Sequence, residues 1–355
     1  MTPASNGQEY AIINADVIEG LQRFPDQMFH CVVTSPPYFG LRDYKTAKWE
    51  GGTDPACNHE PPDEAGNTDK PSAGQRQHAG RFAGSHCYRC GAKRIDLQIG
   101  MEKTPDEYVG KLVEVFREVK RVLRDDGTCF IVIGDSYAAN RSYQVPSTKG
   151  GAKHSSAQAG QTGNIVPPGC KPKDLIGIPW MLAFALRADG WYLRSDIIWH
   201  KPNVMPSSVK DRPTTAHEYV FLLTKSAKYC YDYDSVKEPA VAGWNGSKFT
   251  DERDALTKPG LGKGSRHEST TRNRRSVWSI NTRASKGAHF ATFPPALVEP
   301  MILAGCPPDG YVLDPFCGSG TTLQVAVEQG RSAIGIELNP EYCKLAELRM
   351  AHLRA

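Results

Sequence analysis

Two short motifs, far apart in the chain, hold the residues most able to do chemistry. The first, Thr34-Ser35-Pro36-Pro37-Tyr38, follows the apolar run His30-Cys31-Val32-Val33, which predicts a buried strand that stops at a double proline. Because proline fixes φ and lacks an N–H donor, the two rings would hold Ser35 and Tyr38 rigidly over the carboxyl edge of a sheet. Rigid placement beside a crevice suits chemistry on a flat ring. An ordinary strand-to-loop turn is the alternative interpretation.

The second motif, Asp314-Pro315-Phe316-Cys317-Gly318-Ser319-Gly320-Thr321-Thr322, begins at the end of a short apolar strand and runs through a glycine turn into a helix. Glycine lacks the Cβ that would collide with a bound ligand, so this turn would let the backbone approach a ligand closely. Glu337 ends the next predicted strand, where an acid about 20 residues after the glycines typically accepts hydrogen bonds from ribose hydroxyls. No Gly-Lys-Ser/Thr follows, and Thr321 replaces the last glycine of a dinucleotide fingerprint. The pattern therefore favours an adenosine without a pyrophosphate.

The apolar periodicity supplies the elements that must position these motifs. A long helix is predicted from Thr104, an N-cap followed by a first-turn proline, to Asp126-Gly127. Strands and helices alternate along the rest of the chain, which predicts an α/β architecture. The other predicted strands are Glu9–Ile13, His30–Val33, Thr128–Ile133, Trp191–His200, His217–Thr224, Tyr311–Phe316 and Ser332–Leu338, and the other predicted helices are Val17–Phe24, Pro179–Ala188, Phe293–Leu303, Thr321–Gln329 and one from Pro340.

Composition narrows the function classes. The chain has 355 residues and a formal net charge of +4, so an anionic partner would have to be met by a local basic patch. The polar start Met1–Gln8 lacks the apolar core of a signal peptide, and no apolar stretch reaches the roughly 18 residues of a membrane span. We therefore expect a cytoplasmic protein without a membrane partner, whose ten cysteines are reduced and mostly packed in apolar runs.

Residues 45–98 differ from their surroundings, being rich in glycine, proline, histidine and serine and poor in aliphatic side chains. Such a segment cannot build its own hydrophobic core, so it is predicted to be an insertion. Cys87-Tyr88-Arg89-Cys90-Gly91 resembles a zinc knuckle, and Cys57 and His59 could complete a tetrahedral site for structural zinc. His78 or His86 could replace His59, and a flexible loop with reduced thiols is the alternative.

A basic segment, 237–288, supplies the missing patch. Its cations are separated by small polar residues and accompanied by Trp244 and Trp278, which suits a DNA-reading region, although a solvated face is the more common meaning of a charge run. The cations are Lys248, Arg253, Lys258, Lys263, Arg266, Arg272, Arg274, Arg275, Arg283 and Lys286.

The pairing of the two motifs resembles the DNA amino-methyltransferases that use S-adenosylmethionine. The target-base motif precedes the cofactor motif, which is similar to the beta-group arrangement, and Ser35 in place of aspartate is similar to the N4-cytosine members. The resemblance implies an α/β fold: a Rossmann-like methyltransferase sheet with helices on both faces, plus a zinc-ribbon-like insertion and a basic target-recognition region. The implied division gives 1–44 and 99–236 to the catalytic part, 45–98 to the zinc insertion, 237–288 to target recognition and 289–355 to cofactor binding.

The resemblance also implies roles for individual residues. The Ser35 hydroxyl and the Pro36 carbonyl would accept the hydrogens of an exocyclic amino group, and Tyr38 would stack on a base flipped out of the duplex. The implied catalytic residues are Ser35, Pro36, Pro37 and Tyr38, and the implied cofactor-binding residues are Asp16, Phe293, Asp314, Phe316, Gly318, Gly320 and Glu337. For Asp16, a plain helix N-cap is the alternative.

The expected activity is therefore site-specific methylation of double-stranded DNA, with cytosine N4 favoured and adenine N6 as the alternative. A protein or RNA methyltransferase and a non-catalytic DNA-binding protein are further alternatives. The sequence leaves open the recognised site, a restriction endonuclease counterpart, and whether the chain forms a homodimer.

Overall fold

The computed structural model describes residues 1–40, 46, 48–57, 86–87, 89–138, 166–240, 270–282 and 293–353. These residues form a large mixed sheet with helices packed against both of its faces. In chain order their helices are α1 (Val17–Gln22), α2 (Pro105–Val122), α3 (Ile178–Ala188), α4 (Pro295–Gly305), α5 (Thr321–Glu328) and α6 (Pro340–Met350), followed by a 3₁₀ turn, Ala351–Leu353. Their strands are β1 (Thr2–Pro3), β2 (Glu9–Asn14), β3 (Phe29–Thr34), β4 (Lys48–Glu50), β5 (Lys93–Ile95), β6 (Leu123–Ile133), β7 (Tyr137–Ala138), β8 (Asp174–Leu175), β9 (Tyr192–His200), β10 (His217–Thr224), β11 (Glu238–Pro239), β12 (Thr271–Arg272), β13 (Val277–Ser279), β14 (Tyr311–Asp314) and β15 (Ser332–Glu337).

The main sheet has nine strands in the order β1-β2-β15-β14-β3-β6-β10-β9-β13. Strands β2, β15, β14, β3 and β6 run parallel, whereas β10 is antiparallel to both β6 and β9. The carboxyl ends of the five parallel strands therefore meet at one edge. That is where open α/β sheets hold their ligands.

Alternation along β3 shows how the sheet separates two cores. Val32 packs with the helices α1, α2 and α3 on one face, whereas Cys31 and Val33 pack with α4, α5 and α6 on the other. A strand covered on both faces reads as a continuous apolar run, which is why β3 could be recognised in the sequence. The expectation of helices on both faces is confirmed.

Helix α2 begins as predicted and ends earlier than predicted. The Thr104 side chain accepts a hydrogen bond from the backbone N–H of Glu107 at 3.1 Å, as an N-cap should. The helix stops at Val122 instead of Asp126-Gly127, because Leu123 already pairs with Phe29 of β3. The next residue of β3 that pairs, Cys31, faces Thr128, so residues 124–127 form a bulge in β6.

One strand of the predicted target-recognition region belongs to the main sheet. Strand β13 lies inside 237–288, yet it pairs in parallel with β9 at the edge of the main sheet. Its Trp278 is only 5% exposed and belongs to the core on the α4 side. Part of the segment assigned to DNA reading is therefore a structural edge of the catalytic sheet.

Within the described ranges, no helix combines the length and the apolar character that crossing a membrane would require.

Candidate active site

A cavity of about 320 Å³ lies at the carboxyl edge of the parallel strands. Both sequence motifs reach it, although they are separated by roughly 280 residues of chain. Its lining includes the predicted residues Asp16, Ser35, Pro36, Pro37, Tyr38, Phe293, Phe316, Gly318 and Glu337. The two motifs therefore come together at one edge of the sheet.

The loop after β3 is anchored from the helix beneath it. The hydroxyl of Tyr108, a fully buried residue of α2, donates a hydrogen bond of 2.7 Å to the carbonyl oxygen of Pro37. This bond gives the Pro37 carbonyl a hydrogen-bond donor and does not involve the Pro36 carbonyl. The two rings and the Tyr108 contact fix the height of Ser35 above the strand end.

The ring of Tyr38 is held at its hydroxyl and along its edge. The hydroxyl donates to Oε2 of Glu218 at 2.8 Å, and the other carboxylate oxygen of Glu218 pairs with Nζ of Lys201. A Cβ added to Gly134, at the end of β6, would lie 2.8 Å from Cε2 of Tyr38, so a side chain there would push the ring away. Burial, followed by the nearby Glu218, raises the pKa of the Tyr38 hydroxyl well above 10. Tyr38 is therefore a neutral, fixed aromatic surface in the cavity.

The glycine turn and Glu337 form one hydrogen-bonded unit. The backbone N–H groups of Gly318 and Asn339 donate to the two carboxylate oxygens of Glu337 at 2.9 and 2.8 Å. Gly318 has φ +50°, and a Cβ placed on it would meet no atom within 4 Å, so its open side faces space. Burial raises the pKa of the Glu337 carboxyl from its ordinary 4.5 to about 7. The group can thus change charge near neutral pH.

The structure does not place Asp314 and Gly320 in the cavity lining. Asp314 is 1% exposed, and its carboxylate accepts hydrogen bonds from the hydroxyls of Thr34 and Thr322, both at 2.7 Å. Burial raises the pKa of this carboxyl to about 6. Gly320 has φ +78° and packs against Ala346 of α6, where an added Cβ would lie 3.0 Å from that side chain. Both residues support the loop from the side away from the cavity and are not part of its lining.

Asp16 both caps a helix and lines the cavity. It is the N-cap of α1, and its Oδ1 accepts from the backbone N–H of Ile18 at 2.9 Å. It also lines the cavity, two residues beyond the end of β2. Capping therefore does not remove it from the site.

Five residues of the site or its support were given no role from the sequence: Tyr108, Gly134, Trp199, Lys201 and Glu218. Three of them, on β9 and β10 or directly after β9, line the cavity, and Lys201 Nζ lies 4.2 Å from the centre of the Trp199 ring. The antiparallel register that pairs Glu218 with Trp199 brings them together. The sequence signals were a polar turn beginning at Lys201 immediately after a strand, and two stretches that also resemble the DNA amino-methyltransferases, Gly134-Asp135-Ser136-Tyr137 and Ala216-His217-Glu218-Tyr219.

The cysteines of the insertion also converge. The sulfurs of Cys57, Cys87 and Cys90 all lie within 4.8 Å of one another. His59, which the sequence offers as a fourth ligand, lies outside the described residues. The chemistry of this donor set, three thiols, is compatible with a soft metal ion.

Three of the predicted DNA-facing cations are described, and all three are engaged with neighbours. Arg272 and Arg275 share the carboxylate of Glu238, and the guanidinium of Arg274 lies 4.6 Å from the centre of the Trp278 ring. The remaining calls on this segment lie outside the described part of the chain, namely Trp244, Lys248, Arg253, Lys258, Lys263, Arg266, Arg283 and Lys286.

The sequence of this chain is similar to those of known DNA methyltransferases. A family model described as DNA methylase matches residues 29–348. The type II methyltransferase M.Cfr9I of Citrobacter freundii is 42% identical over 340 residues, which cover 96% of this chain and 87% of that protein. The type II methyltransferase M.SmaI of Serratia marcescens is 41% identical over 351 residues, covering 99% and 94% of the two chains.

Among solved structures, the PvuII DNA methyltransferase, described as cytosine-N4-specific, superposes with a TM-score of 0.56 at 19% identity. The match covers 96% of this chain and 86% of that one. At this identity the likeness concerns the fold alone.

Proposed function

We infer that this chain, which belongs to the DNA methylase family and is a DNA methyltransferase, transfers the methyl group of S-adenosylmethionine to the exocyclic amino nitrogen of a DNA base. Cytosine N4 is the favoured acceptor. The observation that carries the proposal is that the Ser35–Tyr38 loop and the Phe316–Gly318 turn line a single cavity at adjoining strand ends. An acceptor base and a methyl donor could therefore meet there.

The cofactor side of the cavity fits an adenosine that carries positive charge. S-adenosylmethionine supplies an electrophilic methyl group on a sulfonium, and its amino-acid part carries an ammonium as well. Asp16 and Glu337 present carboxyl groups to the cavity, and the Glu337 oxygens, each accepting one backbone N–H, retain further acceptor capacity for ribose hydroxyls. The open side of Gly318 leaves room for the ligand against the backbone, and the Phe293 and Phe316 rings offer flat apolar surfaces.

The target side of the cavity is suited to activating a weak nucleophile. The lone pair of an exocyclic amino nitrogen is delocalised into the base ring, so the nitrogen must be pyramidalised before it can attack. We assign the Ser35 hydroxyl and the Pro36 carbonyl as acceptors of the two amino hydrogens, which turns the lone pair toward the methyl group. Pro37, whose carbonyl is held by Tyr108, keeps these acceptors at a fixed height.

Tyr38 would supply the surface on which the flipped base lies. Base flipping costs a few kcal/mol, and stacking on an aromatic ring recovers about 1–3 kcal/mol. Glu218 and Lys201 hold the ring through its hydroxyl, so it need not be ordered when the base arrives. The basic segment 237–288 is proposed to recognise the surrounding duplex.

The preference for cytosine rests on Ser35, which stands where the similar N4-cytosine enzymes have serine. The description of the PvuII methyltransferase as cytosine-N4-specific agrees with it. Adenine N6 remains the second candidate because it offers an amino group of similar geometry to the same two acceptors.

The test is methylation of duplex DNA by purified protein with radiolabelled S-adenosylmethionine, followed by nucleoside analysis by mass spectrometry. We expect N4-methylcytosine, and we expect Ser35→Ala to lower the rate strongly while cofactor binding is kept. Ser5→Ala, a change at an exposed serine, is the matched control. N6-methyladenine without N4-methylcytosine would refute the choice of base. Methyl transfer to polypeptide or RNA and none to duplex DNA would refute the proposal as a whole.

A further inference from the structure

The insertion has almost no hydrophobic core in its described part. Its buried apolar cluster consists of Cys87, Cys90 and Ala92, with Trp49 and Cys57 partly buried against them. Strands β4 and β5 pair as a short antiparallel ladder next to this cluster. Two strands of three residues are not expected to be stable without a further constraint. The three sulfurs at the centre of the cluster are the obvious place for one.

One pair of these sulfurs has the spacing that a tetrahedral metal site requires, and the third lies close to both. Cys57 Sγ and Cys87 Sγ are 3.8 Å apart, and none of the three cysteines takes part in a disulfide. Zn–S bonds of about 2.3 Å separate the thiolates of a tetrahedral site by about 3.8 Å, so the observed distance matches. Thiols that merely pack as small hydrophobes have no reason to share a common centre.

The backbone around the second pair of cysteines has the form of a metal knuckle. The N–H of Gly91 donates to the Cys87 carbonyl at 2.8 Å, and the N–H of Cys87 donates to the Ala92 carbonyl at 2.6 Å. Gly91 has φ +74°, which allows the chain to turn back directly after Cys90. The turn thus aims both sulfurs inward.

From this geometry we propose that Cys57, Cys87 and Cys90 bind a structural Zn²⁺ ion that folds the insertion. Hard cations such as Mg²⁺ and Ca²⁺ prefer oxygen ligands and do not suit three thiols. An iron–sulfur centre is held by four cysteines, and the described part of this cluster has three. The three thiolates occupy three of the four positions of a standard structural zinc site.

The ion has a consequence for the active site because both ends of the hairpin lead back to it. Thr46, just before β4, lines the cavity, and so do Leu97 and Ile99 after β5. Gly100 follows, and its carbonyl accepts the backbone N–H of Gly40 at 2.7 Å. A Cβ on Gly100 would lie 2.9 Å from the Tyr38 carbonyl oxygen. The zinc-held hairpin therefore forms one wall of the cavity against the target-base loop.

The first test measures metal content of the full chain, purified under reducing conditions without a metal-affinity tag. We expect about one bound zinc per chain in the wild type. In Cys57→Ser and in Cys87→Ser the bound zinc should fall at least about tenfold, because each change removes a thiolate ligand. Cys230→Ser, at an exposed cysteine remote from the cluster, should keep the full amount. Zinc absent from the wild type even after incubation with Zn²⁺ alone would overturn the proposal, and so would equal loss from the control variant.

A second measurement does not depend on the variants folding or on methyl transfer. Hydrogen exchange of the wild-type chain is compared before and after zinc removal by a chelator. Residues 48–57 and 89–100 should lose protection, whereas β14 and β15 should keep theirs, and added Zn²⁺ should restore the difference. Unchanged exchange over 89–100 after removal of the metal would contradict a structural role. Since neither measurement uses DNA or cofactor, the zinc site can fail while the proposed activity stands, and the reverse.

Discussion

The pKa of Glu337 makes the proposed cofactor site testable by pH. Burial raises the pKa of this carboxyl to about 7, so in the free protein the group is mostly protonated below neutral pH and mostly ionised above it. Ribose hydroxyls donate hydrogen bonds, and the ionised carboxylate offers them an extra acceptor, whereas the protonated form carries a competing O–H donor. Binding of the nucleoside therefore favours the ionised form. Affinity should rise as pH rises through about 7.

The magnitude follows from the fraction of ionised carboxyl. With a pKa of about 7, roughly a tenth of the free protein is ionised at pH 6 and roughly nine tenths at pH 8. If the ligand binds the ionised form, its affinity increases about ninefold over this range, which corresponds to about 1.3 kcal/mol. Binding should release about 0.5 proton per site at pH 7 and progressively fewer as pH rises.

Isothermal titration with S-adenosylhomocysteine, the product, measures both quantities. Repeating each titration in two buffers of different ionisation enthalpy gives the number of protons released. Glu337→Gln should bind about 10- to 100-fold more weakly at pH 8, since it loses hydrogen bonds to a charged acceptor, and its affinity should hardly change with pH. Glu341→Gln removes an exposed carboxylate four residues away and should behave as the wild type does.

Equal affinity of the wild type at acid and alkaline ends of this range would refute the assignment of Glu337. The same conclusion follows if Glu337→Gln shows the wild-type slope, because the titrating group would then belong to the ligand or to another residue.

Three further changes test how the target-base loop is held. Tyr38→Ala should lower kcat/KM on duplex DNA by roughly 5- to 150-fold through lost stacking. Tyr38→Phe loses only the bond to Glu218 and should lower kcat/KM less. Similar losses from both variants would argue against stacking. Tyr108→Phe leaves the Pro37 carbonyl without its donor and should reduce the free energy of unfolding by about 1–3 kcal/mol in urea titrations. Gly134→Ala should displace the Tyr38 ring and lower kcat about tenfold with unchanged S-adenosylhomocysteine affinity, and a fall in that affinity instead would refute a local effect.

Most of the fold follows from local patterns in the sequence. The strands β3, β10 and β15 each contain a mainly apolar run, and each starts and ends within two residues of its predicted bounds. The predicted end of α2 was wrong because pairing with β3 begins at Leu123. No local sequence pattern indicates strand pairing over that distance. For the same reason β13 could not be assigned to the main sheet from its three residues.

The candidate site was predicted where its residues follow strand ends, and missed where tertiary register supplies them. Ser35, Tyr38 and Glu337 stand directly after or at the end of parallel strands, so their convergence follows from the topology. Glu218 stands near the start of β10 and becomes part of the site only because β10 runs antiparallel to β6 and β9. A charged residue at the start of a strand gives no indication of which neighbour it will face.

The adjacency of β3 and β14 explains why motifs at opposite ends of the chain can act together. Leu313 pairs with Val32, and just beyond this pair the Thr34 hydroxyl donates to the Asp314 carboxylate across the two strand ends. Because this bond is buried, a shift of either strand by one residue would break it and remove one of the hydrogen bonds that the buried Asp314 carboxyl accepts. The two loops that follow are therefore fixed in register with each other. The order in which the motifs occur along the chain has no bearing on the chemistry, since the sheet alone sets the distance between the proposed acceptor and donor.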